Sequence, residues 1–176
     1  MVGTVLAANK RYMTTKKKEV LKKRKWIQSE SEVKIVTKPW GYGVVGKVKG
    51  VGELWLNYDK NESVGDKKKR YVFKRLYIKK GTRTSFQYHV KKEETNHLVS
   101  GRAEAWFEND KGKIEKSIAV AGDSWSIPCG KKHRIIALTN IVLIEASSPE
   151  VDDVVRLADD AGRMGGRIKG EHQTRR

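Results

Sequence analysis

Short alternating runs broken by glycine limit what this chain can fold into more than any single residue does. In "YVFKRLYI", residues 71–78, Val72, Leu76 and Ile78 share one face, and Tyr71, Phe73 and Tyr77 share the other. That period of two belongs to a strand, because successive side chains point to opposite sides of a sheet. "KKGT" then turns the chain. "AEAWF" leads through "NDKGK" to "KSIAV" and "AGD". "SWSI" leads through "PCGKK" to "HRIIAL", "TN" and "IVLIEAS". Strands of this length with turn residues between them predict an all-β barrel or sandwich. One stretch departs from the pattern. "PEVDDVVRLADDAGR", residues 149–163, places Val151, Val154, Val155 and Ala158 on a partial helical face, so a helix is expected there. No internal repeat of solenoid type is present.

Several polar residues fall on faces that should turn inward. Lys74 lies on the strand face of Val72, Leu76 and Ile78. His133 shares a face with Ile135, and Glu145 shares one with Ile141 and Leu143. In "TSFQYHVKKEETNHLVSG", residues 84–101, Gln87 and His89 share a face if the run is extended. A polar group aimed into a core costs about 2–7 kcal/mol unless something satisfies it. A rim lysine that snorkels to water is the bland account of Lys74. Inward polar residues on separate strands are harder to set aside.

The 176 residues are enough for one domain with a real core, and 38% of them are hydrophobic. The formal net charge is +17, and much of it sits in the ends. Residues 1–30 hold nine basic residues against two acidic, and residues 163–176 hold five against one. The expected organisation is a basic N-terminal extension over 1–30, a barrel over 31–163 and a basic C-terminal tail over 164–176. Such ends suit a solvated tail, or contact with a polyanion or a larger assembly. The tail aromatic Trp26 stands alone, which gives little support to single-strand nucleic-acid stacking. Cys129 is the sole cysteine, so an intrachain disulfide is excluded. No apolar run approaches the roughly 20 residues of a membrane span. The expectation is a soluble, cytoplasmic protein with no membrane contact.

The spacing of the polar residues carries a resemblance. Gly81 is followed after five residues by Gln87, after one more by His89, after four by Glu94 and after six by Gly101. Downstream, Gly122 is followed after five residues by Pro128, after one by Gly130 and after two by His133. This resembles the two motifs of the cupin superfamily, with glutamine in place of the first histidine and Ala137 where asparagine is usual. Six blocks narrow it: "KPWGYG" at 38–43, "FKRLYIKKG" at 73–81, "SFQYH" at 85–89, "VSG" at 99–101, "IPCGKKHR" at 127–134 and the segment 145–163. Together they resemble the type II mannose-6-phosphate isomerase cupin over roughly residues 34–163. That domain also ends the bifunctional isomerase/GDP-mannose pyrophosphorylases.

The resemblance implies a small double-stranded β-helix (jelly-roll) barrel holding one divalent metal ion. Gln87, His89, Glu94 and His133 are the implied ligands, with Glu93 as the competitor for Glu94. Imidazole nitrogens with carboxylate and amide oxygens suit zinc, manganese, iron, cobalt or nickel. The implied reaction is aldose–ketose isomerisation of a sugar phosphate in nucleotide-sugar or glycan precursor metabolism. A phosphorylated substrate needs cations, and Lys74, Arg134 and Arg156 are the candidates. The resemblance further implies a homodimer. This chain departs from the isomerase pattern at Val90, Lys91 and Lys92, where histidines and an arginine are usual, and at Asn96, where tryptophan is usual. Lysine lacks the bidentate fork of arginine. Those departures support a second reading: a non-catalytic cupin serving as a binding or structural module, its basic ends docked to a polyanion or assembly.

Overall fold

The computed structural model describes residues 28–62, 69–163 and 165–168. Most of the basic N-terminal extension and most of the C-terminal tail lie outside these residues. Among the described residues every regular element is a strand. No helix there is long and apolar enough to cross a membrane.

Two antiparallel sheets face each other. The first contains β1 (Val33–Thr37), β2 (Gly43–Val45), β3 (Val48–Asp59), β4 (Val72–Ile78), β6 (Glu94–Ser100), β9 (Ser124–Ile127) and β11 (Ile141–Ser147). Its order is β1-β3-β4-β11-β6-β9, with β2 paired to β3. The second contains β5 (Phe86–Tyr88), β7 (Arg102–Glu108), β8 (Ile114–Val120), β10 (His133–Ala137), β12 (Val154–Ala158) and β13 (Gly166–Ile168). Its order is β13-β12-β5-β10-β7-β8.

Alternation along each strand decides what the interior holds. In β4, Val72, Lys74, Leu76 and Ile78 are buried, while Phe73 is exposed. Register then lines these residues up across the first sheet. Leu76 opposes Leu143, which opposes Leu98. One row along, Lys74 opposes Glu145, which opposes Asn96. The next row joins Val72, Ser147 and Glu94. One end of the interior is therefore apolar and the other polar. At the apolar end Leu76, Ile78, Leu98, Ile141 and Leu143 meet Ile135 and Ala137 of the second sheet. Each fully buried Leu or Ile contributes about 1.5–3 kcal/mol, which leaves room for polar rows beyond them.

The turn between β6 and β7 requires glycine. Gly101 has a φ of +89°, and a Cβ there would lie 2.6 Å from Thr139 Oγ1 and press on Asn140 O. This glycine closes the first spaced motif and fixes the turn that returns the chain to the second sheet.

The helix expected over 149–163 is absent. A turn at Val151 leads into β12, which pairs with β5 on one side and β13 on the other. Val151 and Val154 are buried, and their spacing fits a helical face as well as a turn followed by a strand. The β-branched pair Val154–Val155 and the open edge of β5 favour the strand. β13 also lies inside the stretch expected to be tail, so the paired structure runs past residue 163.

Candidate metal centre

Strand order and register bring the polar residues together. Gln87 lies mid-β5, and His89 follows at its end. His133 opens β10 and pairs with Gln87, so their side chains leave the same face. Glu94 opens β6 in the opposite sheet. The ligand atoms of His89, Glu94 and His133 all lie within 4.8 Å of one another, and all three residues are buried. His89 Nε2 is 3.6 Å from Glu94 Oε2. His133 Nε2 is 3.7 Å from Glu94 Oε1.

The far side of each ring sets its tautomer. His89 Nδ1 lies 2.6 Å from the Asp153 carbonyl oxygen. His133 Nδ1 lies 3.0 Å from the Lys131 carbonyl oxygen. A carbonyl accepts only, so each Nδ1 carries a proton, and a neutral ring then presents its lone pair at Nε2. His133 Nε2 is buried without a hydrogen-bond partner. Burial pushes the His133 pKa down, against the pull of the Glu94 carboxylate, which keeps the ring neutral. Two fixed lone pairs and a carboxylate converging in a buried site form a donor set that fits a divalent transition metal.

Gln87 stands beside this trio. Its Oε1 accepts from Ser85 Oγ at 2.5 Å, and its Nε2 is 3.5 Å from His89 Nε2. Turning the amide by half a rotation would present the oxygen to the trio. Glu93 is exposed, so the carboxylate in the cluster is that of Glu94.

A chain of buried charges runs away from Glu94. Lys92 Nζ binds Glu94 Oε2 and lies 2.9 Å from Glu145 Oε1. Lys74 Nζ is 3.4 Å from Glu145 and 3.7 Å from Glu53. Lys38 Nζ closes the row, 3.1 Å from Glu53. Trp55 donates its indole N–H to Glu53 at 2.7 Å, and Lys74 sits 4.5 Å from the centre of the Trp55 ring. Three lysines thus alternate with three glutamates. Burial pushes the Glu94 carboxyl up, but the Lys92 ammonium beside it outweighs that and holds it well below the usual range. Glu145 is likewise lowered against its burial, by Lys74 and Lys92. Burial opposes the charge on Lys92, yet Glu145 and Glu94 raise its pKa. The ladder and the trio line one cavity of about 70 Å³, room for an ion and a few waters.

The three cations expected at the substrate separate. Lys74 lines the cavity, held between its two glutamates rather than reaching to water. Arg156 pairs in register with Gln87 and is 4% exposed. It lies 3.8 Å from Asp159, a buried contact rather than a surface ion pair. Arg134 leaves the opposite face of β10 from His133. It donates to the Ala158 carbonyl at 3.1 Å and lies 3.5 Å from Asp160. Arg163 lines the cavity instead. Asp153 was not anticipated. Its carbonyl orients His89, and its carboxylate accepts from the backbone N–H groups of Lys91 and Lys92. Lys92 stood out in the sequence only as a departure. Its spacing of two from Glu94 was the signal that both share one face.

Comparison with known proteins narrows the reading. The family model for the mannose-6-phosphate isomerase C-terminal region matches residues 47–159. The mannose-1-phosphate guanylyltransferase of Escherichia coli strain K12 is 34% identical over 117 residues, which cover 62% of this chain and 22% of that protein. The chain thus spans about a fifth of that relative's length. Among solved structures, a deletion variant of Bacillus subtilis oxalate decarboxylase superposes with a TM-score of 0.56 at 18% identity, over 74% of this chain and 31% of that one. Another variant of the same enzyme gives 0.57 at 18% identity, over 75% and 32%. At that identity these two likenesses speak to the fold.

Proposed function

The chain belongs to the mannose-6-phosphate isomerase C-terminal family and has the cupin fold, and from that premise we propose that it binds one divalent metal ion and isomerises a sugar phosphate between aldose and ketose. The observation that carries the proposal is the trio of His89, Glu94 and His133, with both Nε2 lone pairs turned to the carboxylate in a buried cavity. Gln87 is the fourth candidate ligand. When bound, the metal supplies Lewis-acid polarisation of the sugar carbonyl or hydroxyl.

The protein's own residues do the rest. The carbonyls of Asp153 and Lys131 keep both imidazoles in the ligating tautomer. The apolar end of the barrel excludes water from one side of the site. Cations in and beside the cavity hold the phosphate: Lys74 and Arg163 from its wall, and Arg156 from the inner face of β12. The Arg134 guanidinium leaves the other face of its strand, towards the Ala158 carbonyl and Asp160. Turnover of mannose 6-phosphate and fructose 6-phosphate, measured on metal-stripped and metal-reloaded protein, tests the proposal. Interconversion that needs added metal is the expected result. Metal binding without turnover of either sugar sinks the isomerase assignment.

One observation favours a second reading. Lys74 and Lys92 are neutralised by buried glutamates, which leaves less free positive charge for an incoming phosphate. A binding or structural cupin, with its basic ends on a polyanion, needs no such charge. The same assay separates the two readings.

A further inference from the structure

Lys92 lies where it matters most for metal binding. Its side chain is 6% exposed, and its ammonium binds Glu94 Oε2, the oxygen that also faces His89 Nε2. The other oxygen, Oε1, accepts from Asn96 Nδ2 at 3.2 Å and faces His133 Nε2. Glu94 is the only carboxylate among the three metal-ligating residues, and one of its two oxygens is already held by a cation. The placement is built in. Lys92 and Glu94 share one face of the chain, two residues apart. The backbone N–H of Lys92 donates to Asp153 Oδ2 at 3.2 Å, which fixes where the side chain starts.

The charges around it balance. Lys38, Lys74 and Lys92 face Glu53, Glu94 and Glu145. A divalent ion entering this buried set adds two positive charges, with an ammonium on the same carboxylate. Like charges a few ångströms apart away from bulk water repel strongly. The ammonium has somewhere to go, because Glu145 Oε1 is already 2.9 Å away. Lysine suits such a move, as a point charge on a flexible stem rather than a rigid fork.

We propose that Lys92 is a resident cation that competes with the divalent metal for Glu94, so that metal enters only by displacing its ammonium towards Glu145. The consequence is a weak, exchangeable centre in place of a permanently loaded one. The proposal rests on the metal-centre reading above, and the test separates the two.

The experiment is a calorimetric titration of zinc, and separately of manganese, into metal-stripped full-length protein. Wild type is compared with Lys92→Met and with Lys92→Met/Glu145→Gln. The single variant leaves a buried carboxylate without its cation and can fail to fold. The double variant removes one charge of each sign, so it keeps the balance and carries the test if the single variant is lost. Both variants should bind metal at least about tenfold more tightly than wild type, and metal should raise their melting temperatures more. Affinity equal to or weaker than wild type in the folded variants overturns the role of Lys92 and leaves the metal centre standing. Wild type and variants that all fail to bind either metal overturn the centre itself, and this inference with it.

Discussion

His89 and His133 differ from ordinary buried histidines in what lies on each side of the ring. A core histidine satisfies both nitrogens, whereas His133 uses Nδ1 on a carbonyl and leaves Nε2 unpartnered. Replacing either histidine by alanine should remove most of the bound metal, read by elemental analysis, while the β-rich circular dichroism persists. Full occupancy in the double variant would remove these residues from the centre. Lys74 makes a different prediction. It is buried between Glu53 and Glu145, so Lys74→Met leaves two buried carboxylates short of a cation. Breaking a buried pair from one side costs about 3–5 kcal/mol, and a denaturant midpoint shift would report it. Unchanged stability would mean that water reaches this end of the barrel. The trio was named only through the family resemblance that the glycine and proline spacing carries, since that spacing by itself assigns no ligand. The partners of Lys74 were not legible, since Glu53 sits on a strand whose pairing no local pattern reveals.

At the scale of elements, alternation made β4 and β7 to β11 legible, misread β12 as a helix, and left β1 to β3 unread and β13 assigned to the tail. β4 and β11 bury the faces that their period of two predicts. β12 was obscured because Val151 and Val154 are three apart, a spacing shared by a helical face and by a turn followed by a strand. What settles it is long-range: β12 fills the gap between β5 and β13. The glycines offer a test of the turns. Gly101→Ala meets both an unfavourable φ and a clash with residues 139 and 140. Gly46→Ala meets only the φ of +57°, with open space around it. The first should cost clearly more than the second, which should stay near about 1–2 kcal/mol. Paired thermal melts of the two variants check the order. Equal losses would mean that the 139–140 turn yields freely.

For the whole molecule, the paired strands run beyond the stretch 31–163 that the sequence suggested for the barrel. Residues 31–163 omit β13, which pairs with Val154, Val155 and Arg156. A chain trimmed to residues 28–168 should therefore melt as one unit, and at a higher temperature than one trimmed to 31–163. Identical melting would show that β13 adds nothing to the barrel. Loss of retention on a polyanionic column after trimming, with metal content unchanged, is expected if the basic ends are docking segments. The anchoring of His89 also bears on the order in which the molecule is built. Its Nδ1 depends on the carbonyl of Asp153, 64 residues later in the chain, whereas His133 relies on a carbonyl only two residues before it. A nascent chain that has reached residue 150 already contains every candidate ligand. Its first imidazole is still free to take either tautomer. The Asp153 carbonyl thus acts as a latch on a set of candidate donors that all precede it in the chain.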